Sequence, residues 1–359
     1  MTEIETKLAV MRGILADHNL AAIRLRGVDW FAWATGGGSS VVLLAAEQGV
    51  AEVLVTADAA LVLTDSIEHD RLQAEEVPAD YTVWAAAWHD QTARADFVRE
   101  TSDSGVVASD RPQDDEQPLP AELVAAKRRL LPAEIERYRR VSRLTAEALT
   151  EVLTAARPEW TEHGLAGAAA AALWARGIHP TLTMVGNERR LPLYGHVTAT
   201  HEPLGGRAML VVCARGFGLY ANMTRFVQFR PPTTAERERA ATVAEIEAAM
   251  WDASTVGAAL GDIYTTTMNA YAAAGWASAA GRLHQGGTTG YLAREVVAVP
   301  GDSTRIEPNT ALAWNPSLLV VKIEDTILVN DSGLEILTVD PAWPSVAVGG
   351  RLRPIALEL

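Results

Sequence analysis

Short apolar runs separated by polar turns open the chain. Residues 21–27 (AAIRLRG), 40–46 (SVVLLAA), 51–57 (AEVLVTA) and 60–65 (ALVLTD) are six or seven residues long and rich in leucine and β-branched side chains, which predicts strands. The connections between them are short, as in a small mixed α/β domain. A polar, proline-bearing stretch, SDRPQDDEQPLP at 109–120, then breaks the pattern and predicts a linker. It divides the chain into residues 1–118 and 119–359. Beyond it the apolar spacing lengthens to that of helices at 133–156, at 162–176 behind Thr161 as N-cap, at 234–254 and at 258–274. Strand-like runs alternate with these helices at 208–214, 219–229, 310–314, 320–329 and 333–339. Long helices and antiparallel strands in one domain predict an α+β fold, with helices layered on a curved sheet.

Composition narrows the function without naming it. At 359 residues, 48% hydrophobic and 21% charged, the chain can bury a full core in each of two domains. A net charge of −14 argues against nucleic acid, whose binding rests on lysine and arginine neutralising phosphates. The lone cysteine, Cys213, has no partner for an internal disulfide, and the N-terminus lacks a basic segment followed by an apolar run. The alanine-rich stretch 166–175 is too short to span a bilayer. These features predict a protein of the reducing cytoplasm with no membrane partner.

Four strings carry the candidate chemistry: MLVVCARGFGLYANMTR (209–225), HQGGTTGY (284–291), AWNP (313–316) and KIEDTILV (322–329). Their order and spacing resemble the pita-bread metallopeptidase family, which includes aminopeptidase P, prolidase, methionine aminopeptidase and creatinase. AAKRRLLPAEIERYRR (125–140) resembles the start of that family's catalytic domain, and VDWFAWATGGG (28–38) stands where two-domain members carry an aromatic-rich turn, so the likeness spans essentially the whole chain. The resemblance implies a creatinase-like N-terminal domain, a pita-bread C-terminal domain and a homodimer. It also implies five ligand places for two metal ions. Cys213, Asn222, Gly287 and Asn315 occupy four of them, and only Glu324 keeps its family identity. One carboxylate does not hold two hard divalent cations, so the expectation is no metal and no cofactor. A single soft ion on Cys213, His284 and Glu324 remains as an alternative.

Creatinase is the metal-free member of that family, and it uses a histidine as acid and base. His196 stands seventeen residues before Cys213, the spacing at which the resemblance places that histidine. An imidazole titrating near neutrality can take and return a proton as a C–N bond is cleaved. Arg294, seven residues after Gly287, falls where relatives keep a second histidine that touches substrate, and its forked guanidinium suits a carboxylate. Glu324 either holds a cationic amine or orients His196, or else is a buried partner of Lys322 or Arg225. Asn222, Asn315, His284, Gln285 and Arg225 are the expected substrate contacts, with Gly286 and Gly287 leaving space and Trp33 at the pocket mouth. The reading is a metal-independent enzyme on a small, polar, carboxylate-bearing substrate, by C–N hydrolysis or a related lyase or isomerase step. Two alternatives stand beside it: a non-catalytic peptide- or protein-binding module, as in the histone-chaperone relatives, and a metal-dependent Xaa-Pro peptidase with atypical ligands.

Overall fold

The computed structural model describes residues 1–359, which form two compact units. The first holds Met1–Glu134 with Phe217–Leu219, and the second holds Ile135–Gly216 with Tyr220–Leu359. The first unit runs α1 (Glu3–Asp17), β1 (Ala22–Gly27), α2 (Val28–Ala34), β2 (Gln48–Val55) and β3 (Ala60–Asp65). It continues through α3 (His69–Arg71), β4 (Thr82–Ala86), α4 (Ala93–Thr101), β5 (Val107–Ser109), β6 (Gln117–Pro118) and α5 (Ala121–Arg128). Its six strands form one mixed sheet in the order β4-β3-β2-β1-β5-β6. The expected linker at 109–120 therefore begins at the end of the interior strand β5 and contains the edge strand β6, and the division between units falls later, in the first turn of α6 (Pro132–Ala155).

Residues 40–46 are not a strand. Ser40 is pinned by accepting the Val50 amide, and Val42 and Leu43 stand 62% and 68% exposed on the loop beyond it. Apolar composition alone does not make a strand where no neighbouring strand offers a ladder.

In the second unit α6 and α7 (Glu162–Trp174) are followed by β7 (His179–Asn187), β8 (Arg207–Gly216) and β9 (Leu219–Gln228). Helices α8 (Thr234–Ala253) and α9 (Leu260–Ala273) precede β10 (Gly286–Thr289), β11 (Val296–Val297), β12 (Thr310–Trp314), β13 (Ser317–Leu318), β14 (Val321–Lys322), β15 (Asp325–Asn330) and β16 (Gly333–Ile336). The hairpin β17 (Ser345–Val348) and β18 (Arg351–Pro354) leads to a last short strand, β19 (Leu357–Glu358). The helix starts are chemically marked: the Thr161 hydroxyl accepts the Gly164 amide, and Thr233 and Glu236 form a reciprocal capping box on α8. No helix is long and apolar enough to cross a membrane.

Two sheets, β19-β9-β8-β7 and β11-β10-β12-β15-β16, carry helices on one face only. Leu149, Val152 and Leu153 of α6 bury against Leu210, Val212, Met223 and Val227, and Val243, Ile246 and Met250 of α8 bury with Leu312, Trp314, Ile327 and Val329. Each such side chain contributes roughly 1.5–3 kcal/mol by leaving water. Because strand side chains alternate, the intervening residues point to the other face. That second face receives Cys213, Asn222, Thr224, Asn315 and Glu324. The sheets meet through a single isolated bridge, Thr224 to Glu324.

Candidate active site

The bridge places the site. Glu324 is 2% exposed, and both of its carboxylate oxygens are occupied. Arg294 Nη2 donates to Oε1 at 2.6 Å, Lys322 Nζ donates to Oε2 at 2.7 Å, and the Thr224 hydroxyl donates to Oε2 at 3.0 Å. Lys322 reaches this carboxylate because residues two apart on an extended strand share a face. Burial pushes the Glu324 pKa upward, but Lys322 and Arg294 together outweigh it and bring it down to about 2. Neither cation has another acid partner, so two positive charges stand against one negative.

Two amides flank this cluster with unused acceptors. Asn222 Nδ2 donates to the Thr289 hydroxyl at 2.9 Å, and that hydroxyl donates onward to the Leu292 carbonyl, which fixes the amide's orientation. Asn222 Oδ1 is left without a partner in a fully buried side chain, and Asn315 Oδ1 is likewise unpaired at 4% exposure. Arg294 Nε is a buried donor with none. Cys213 lies within the field of the same charges. Burial first, then the Glu324 carboxylate, pushes its thiol up to about 11, so it is protonated at neutral pH.

His284 sits exposed at the rim, where its Nδ1 accepts the Gly286 amide. Partial burial and the Arg294 charge lower its pKa, and His196 adds to that effect from close by. His196 lies in the irregular segment 188–200, exposed and without a hydrogen bond, on a turn whose Gly195 rests against Leu283. Arg294 and Glu324 thus act on both His284 and Cys213, with Asn222 and Asn315 on the same sheet face, while His196 meets this set only through its charge on His284.

The other expected contacts are turned elsewhere. Gln285 spends its side chain locally, donating to the Ala280 and Leu283 carbonyls and accepting from Tyr271. Arg225 points to the helix side, where it holds Asp325 at 2.7 Å and the Thr338 carbonyl. Trp33 is 2% exposed within the first unit, edge-on to Trp30, with the Lys7 ammonium over its ring. Gly286 and Gly287 do not open space. A Cβ on either would collide with backbone, the Ala313 carbonyl for Gly286 and the Val296 carbonyl for Gly287, so they are there to let β12 and β11 approach β10. Sequence reasoning gave Lys322 no site role. Its signal was the KIE triplet, which puts lysine and glutamate on one strand face.

These donors do not fit a two-metal centre. No three or more His, Cys, Asp and Glu side chains gather in a geometry able to hold an ion, and the surviving carboxylate already carries two cationic donors where ligand oxygens would have to be free. The same geometry leaves Cys213, His284 and Glu324 short of a shared single-ion site.

Comparison with known proteins gives the lineage. No curated protein sequence matches significantly. Among solved structures the chain is similar to an Xaa-Pro dipeptidase from Bacillus anthracis, with 15% identity, a TM-score of 0.79, and coverage of 99% of this chain and 100% of the other. An X-Pro aminopeptidase from Thermotoga maritima gives 16% identity, a TM-score of 0.79, and coverage of 98% and 99%. The N-terminal domain of the FACT complex subunit SPT16 from Cicer arietinum gives 13% identity, a TM-score of 0.71, and coverage of 94% and 96%. At these identities the likeness establishes the pita-bread α+β fold. The profile of metallopeptidase family M24 matches residues 136–331, more than half of the chain and nearly all of the sheet framework around Glu324, and the protein therefore belongs to that family.

Proposed function

We propose that the second unit is a metal-independent acid–base catalyst for a small, polar, carboxylate-bearing substrate, cleaving a C–N bond by hydrolysis or by a related lyase or isomerase step. The observation that carries this reading is the two-to-one excess of cations over carboxylate at the Glu324 cluster. A buried surplus charge favours an anionic group beside it, whether a substrate carboxylate or the oxyanion formed as water adds to carbon. Glu324, ionised and fully hydrogen-bonded, is the counter-ion that fixes Lys322 and Arg294, not a base. His196 takes the proton from the attacking water and returns it to the departing nitrogen, and the free acceptors of Asn222 and Asn315 bind the substrate's N–H groups.

The test is turnover of a panel of N-substituted amino acids, Xaa-Pro dipeptides included, by full-length protein and by His196→Ala. The variant is expected to keep its circular dichroism and denaturation midpoint and to lose about 10²–10⁴-fold in kcat. Full activity in the variant overturns the assignment. Metal analysis of the purified protein separates this from metal-dependent peptidase chemistry: a full equivalent of bound transition metal, or peptidase activity appearing on addition of Mn²⁺ or Co²⁺, contradicts the metal-free reading.

A second reading has its own support in the end-to-end likeness to the SPT16 domain and in an exposed His196 that no hydrogen bond orients. It is a binding module without turnover, and it predicts saturable peptide binding that His196→Ala leaves intact.

A further inference from the structure

Beyond the Thr224–Glu324 bridge, β9 and β14 part, and the wedge between them opens into a cavity of about 620 Å³, within the range of small-molecule sites. Its walls are mainly apolar, with Ala240, Ala241 and Ala244 on α8 facing Val346, Val348 and Ile355 around the β17–β18 hairpin. At its buried end is Arg207, 3% exposed, with its guanidinium 4.4 Å from the centre of the Phe226 ring. The one acid bonded to it, Glu236, is distant at 3.5 Å and otherwise engaged: Arg230 holds it at 2.8 and 2.9 Å, and the Thr233 amide donates to it at 2.7 Å. Arg207 Nε has no partner. Burial lowers the Arg207 pKa, as expected of a cation taken out of water without full compensation. Other polar groups around the cavity do not supply that compensation. Thr224 and Lys322, bonded to Glu324, are donors like Arg207 itself, and Glu245 and Glu358 are exposed.

We propose that this cavity, which borders the Glu324 cluster through Thr224 and Lys322, is a second ligand site that takes a small monocarboxylate with an apolar tail, the carboxylate on Arg207 and the tail between α8 and the β17–β18 hairpin. An under-paired buried guanidinium calls for one anionic charge, and the walls offer an apolar body its desolvation. The proposal does not depend on the reaction assigned above.

Calorimetric titration of the full-length protein with sodium octanoate and with the neutral octanamide tests it. One octanoate per chain is expected, bound at least about tenfold more tightly than octanamide because a charged hydrogen bond adds that much. Arg207→Met is expected to reduce octanoate to the octanamide level. Ala240→Trp, on an exposed helix position that tolerates bulk, is expected to weaken both ligands, so the outcome does not hinge on the folding of the arginine variant. Equal affinity for the two ligands, absence of saturable octanoate binding, or octanoate affinity unchanged by Ala240→Trp overturns the proposal.

Discussion

Glu324 and Asp325 are neighbours that point to opposite faces of one sheet, and each is held by two cations. The two clamps balance differently. Asp325 takes Arg225 and Arg353 at 2.7 Å each and the Thr338 hydroxyl at 2.6 Å, while Arg353 also grips Glu247 through two bonds and lies 4.1 Å from the centre of the Trp251 ring. Two carboxylates meet two guanidinium groups, and the helix-side cluster is neutral. On the other face Glu324 alone answers Lys322 and Arg294. A balanced buried network fastens α8 and the β17–β18 hairpin to the sheet. An unbalanced one has capacity left for something that is not part of the chain.

Removing one cation from each cluster tests the difference most strongly. Arg353→Met leaves Glu247 as an unpaired buried carboxylate and is expected to cost about 3–5 kcal/mol in urea denaturation. Lys322→Met leaves Glu324 with Arg294, a balanced pair, and is expected to cost only about 1–2 kcal/mol while lowering turnover of carboxylate substrates at least about tenfold. Equal destabilisation by the two substitutions would erase the distinction.

Acid titration sharpens it next. Glu324 is depressed from 4.5 to about 2, so its contribution is complete above about pH 4.5 and is lost as pH falls through 2. Linkage puts this at roughly 3 kcal/mol, and Glu324→Gln is expected to flatten that limb of the stability profile. Glu247 titrates in the opposite sense. Burial raises it to about 7 against the pull of Arg353, so its favourable term is present below about pH 4.5 and declines as pH rises through 7. Glu247→Gln should remove this neutral limb and leave the acid one. Denaturation midpoints of both variants from pH 2 to 8 provide the check.

The smallest effect concerns Cys213. With its thiol raised to about 11, labelling by a disulfide reagent at pH 8 is expected to be about a hundredfold slower than for free cysteine. Glu324→Gln, which removes the neighbouring negative charge, should speed it. Rapid labelling of the native protein at neutral pH would restore Cys213 as a candidate nucleophile.

The fold was legible where one local signal dominated. Apolar spacing marked α6, α7 and α8 to within a residue or two, with Thr161 marking the start of α7, and the predicted strand at 310–314 coincides with β12. It was illegible where tertiary partners decided. The run at 40–46 has strand composition and no strand to pair with. The expected strand at 320–329 breaks into β14 and β15 around Glu324, with Leu319 in the left-handed region at φ 48° ahead of it. Strand β7 was missed because Pro180 interrupts its pattern and its register shifts there. In the site, strand alternation and family order located Asn222, Asn315 and Glu324. Direction of long side chains was beyond the same reasoning. Arg225 and Gln285 satisfy partners that lie far off or in a turn, and Lys322 bends toward a carboxylate whose surroundings only the assembled sheets create.

The Thr224–Glu324 bridge has a mechanical consequence. Each sheet is stiffened by its own ladder, but across the seam the backbone pairing shrinks to two separate bonds, the Thr224 amide on the Glu324 carbonyl at 3.0 Å and the Tyr220 amide on the Gly290 carbonyl at 2.8 Å, with the Thr326 hydroxyl between the Asn222 amide and carbonyl. Load that bends the array concentrates at this joint. Glu324 acts there as a rivet, because its carboxylate is tied to Thr224 on β9, to Lys322 on the separate β13–β14 hairpin and to Arg294 on the connection between β10 and β11. Any ligand that draws Lys322 or Arg294 toward itself also loosens the seam, which couples occupancy of the site to the curvature of the whole sheet.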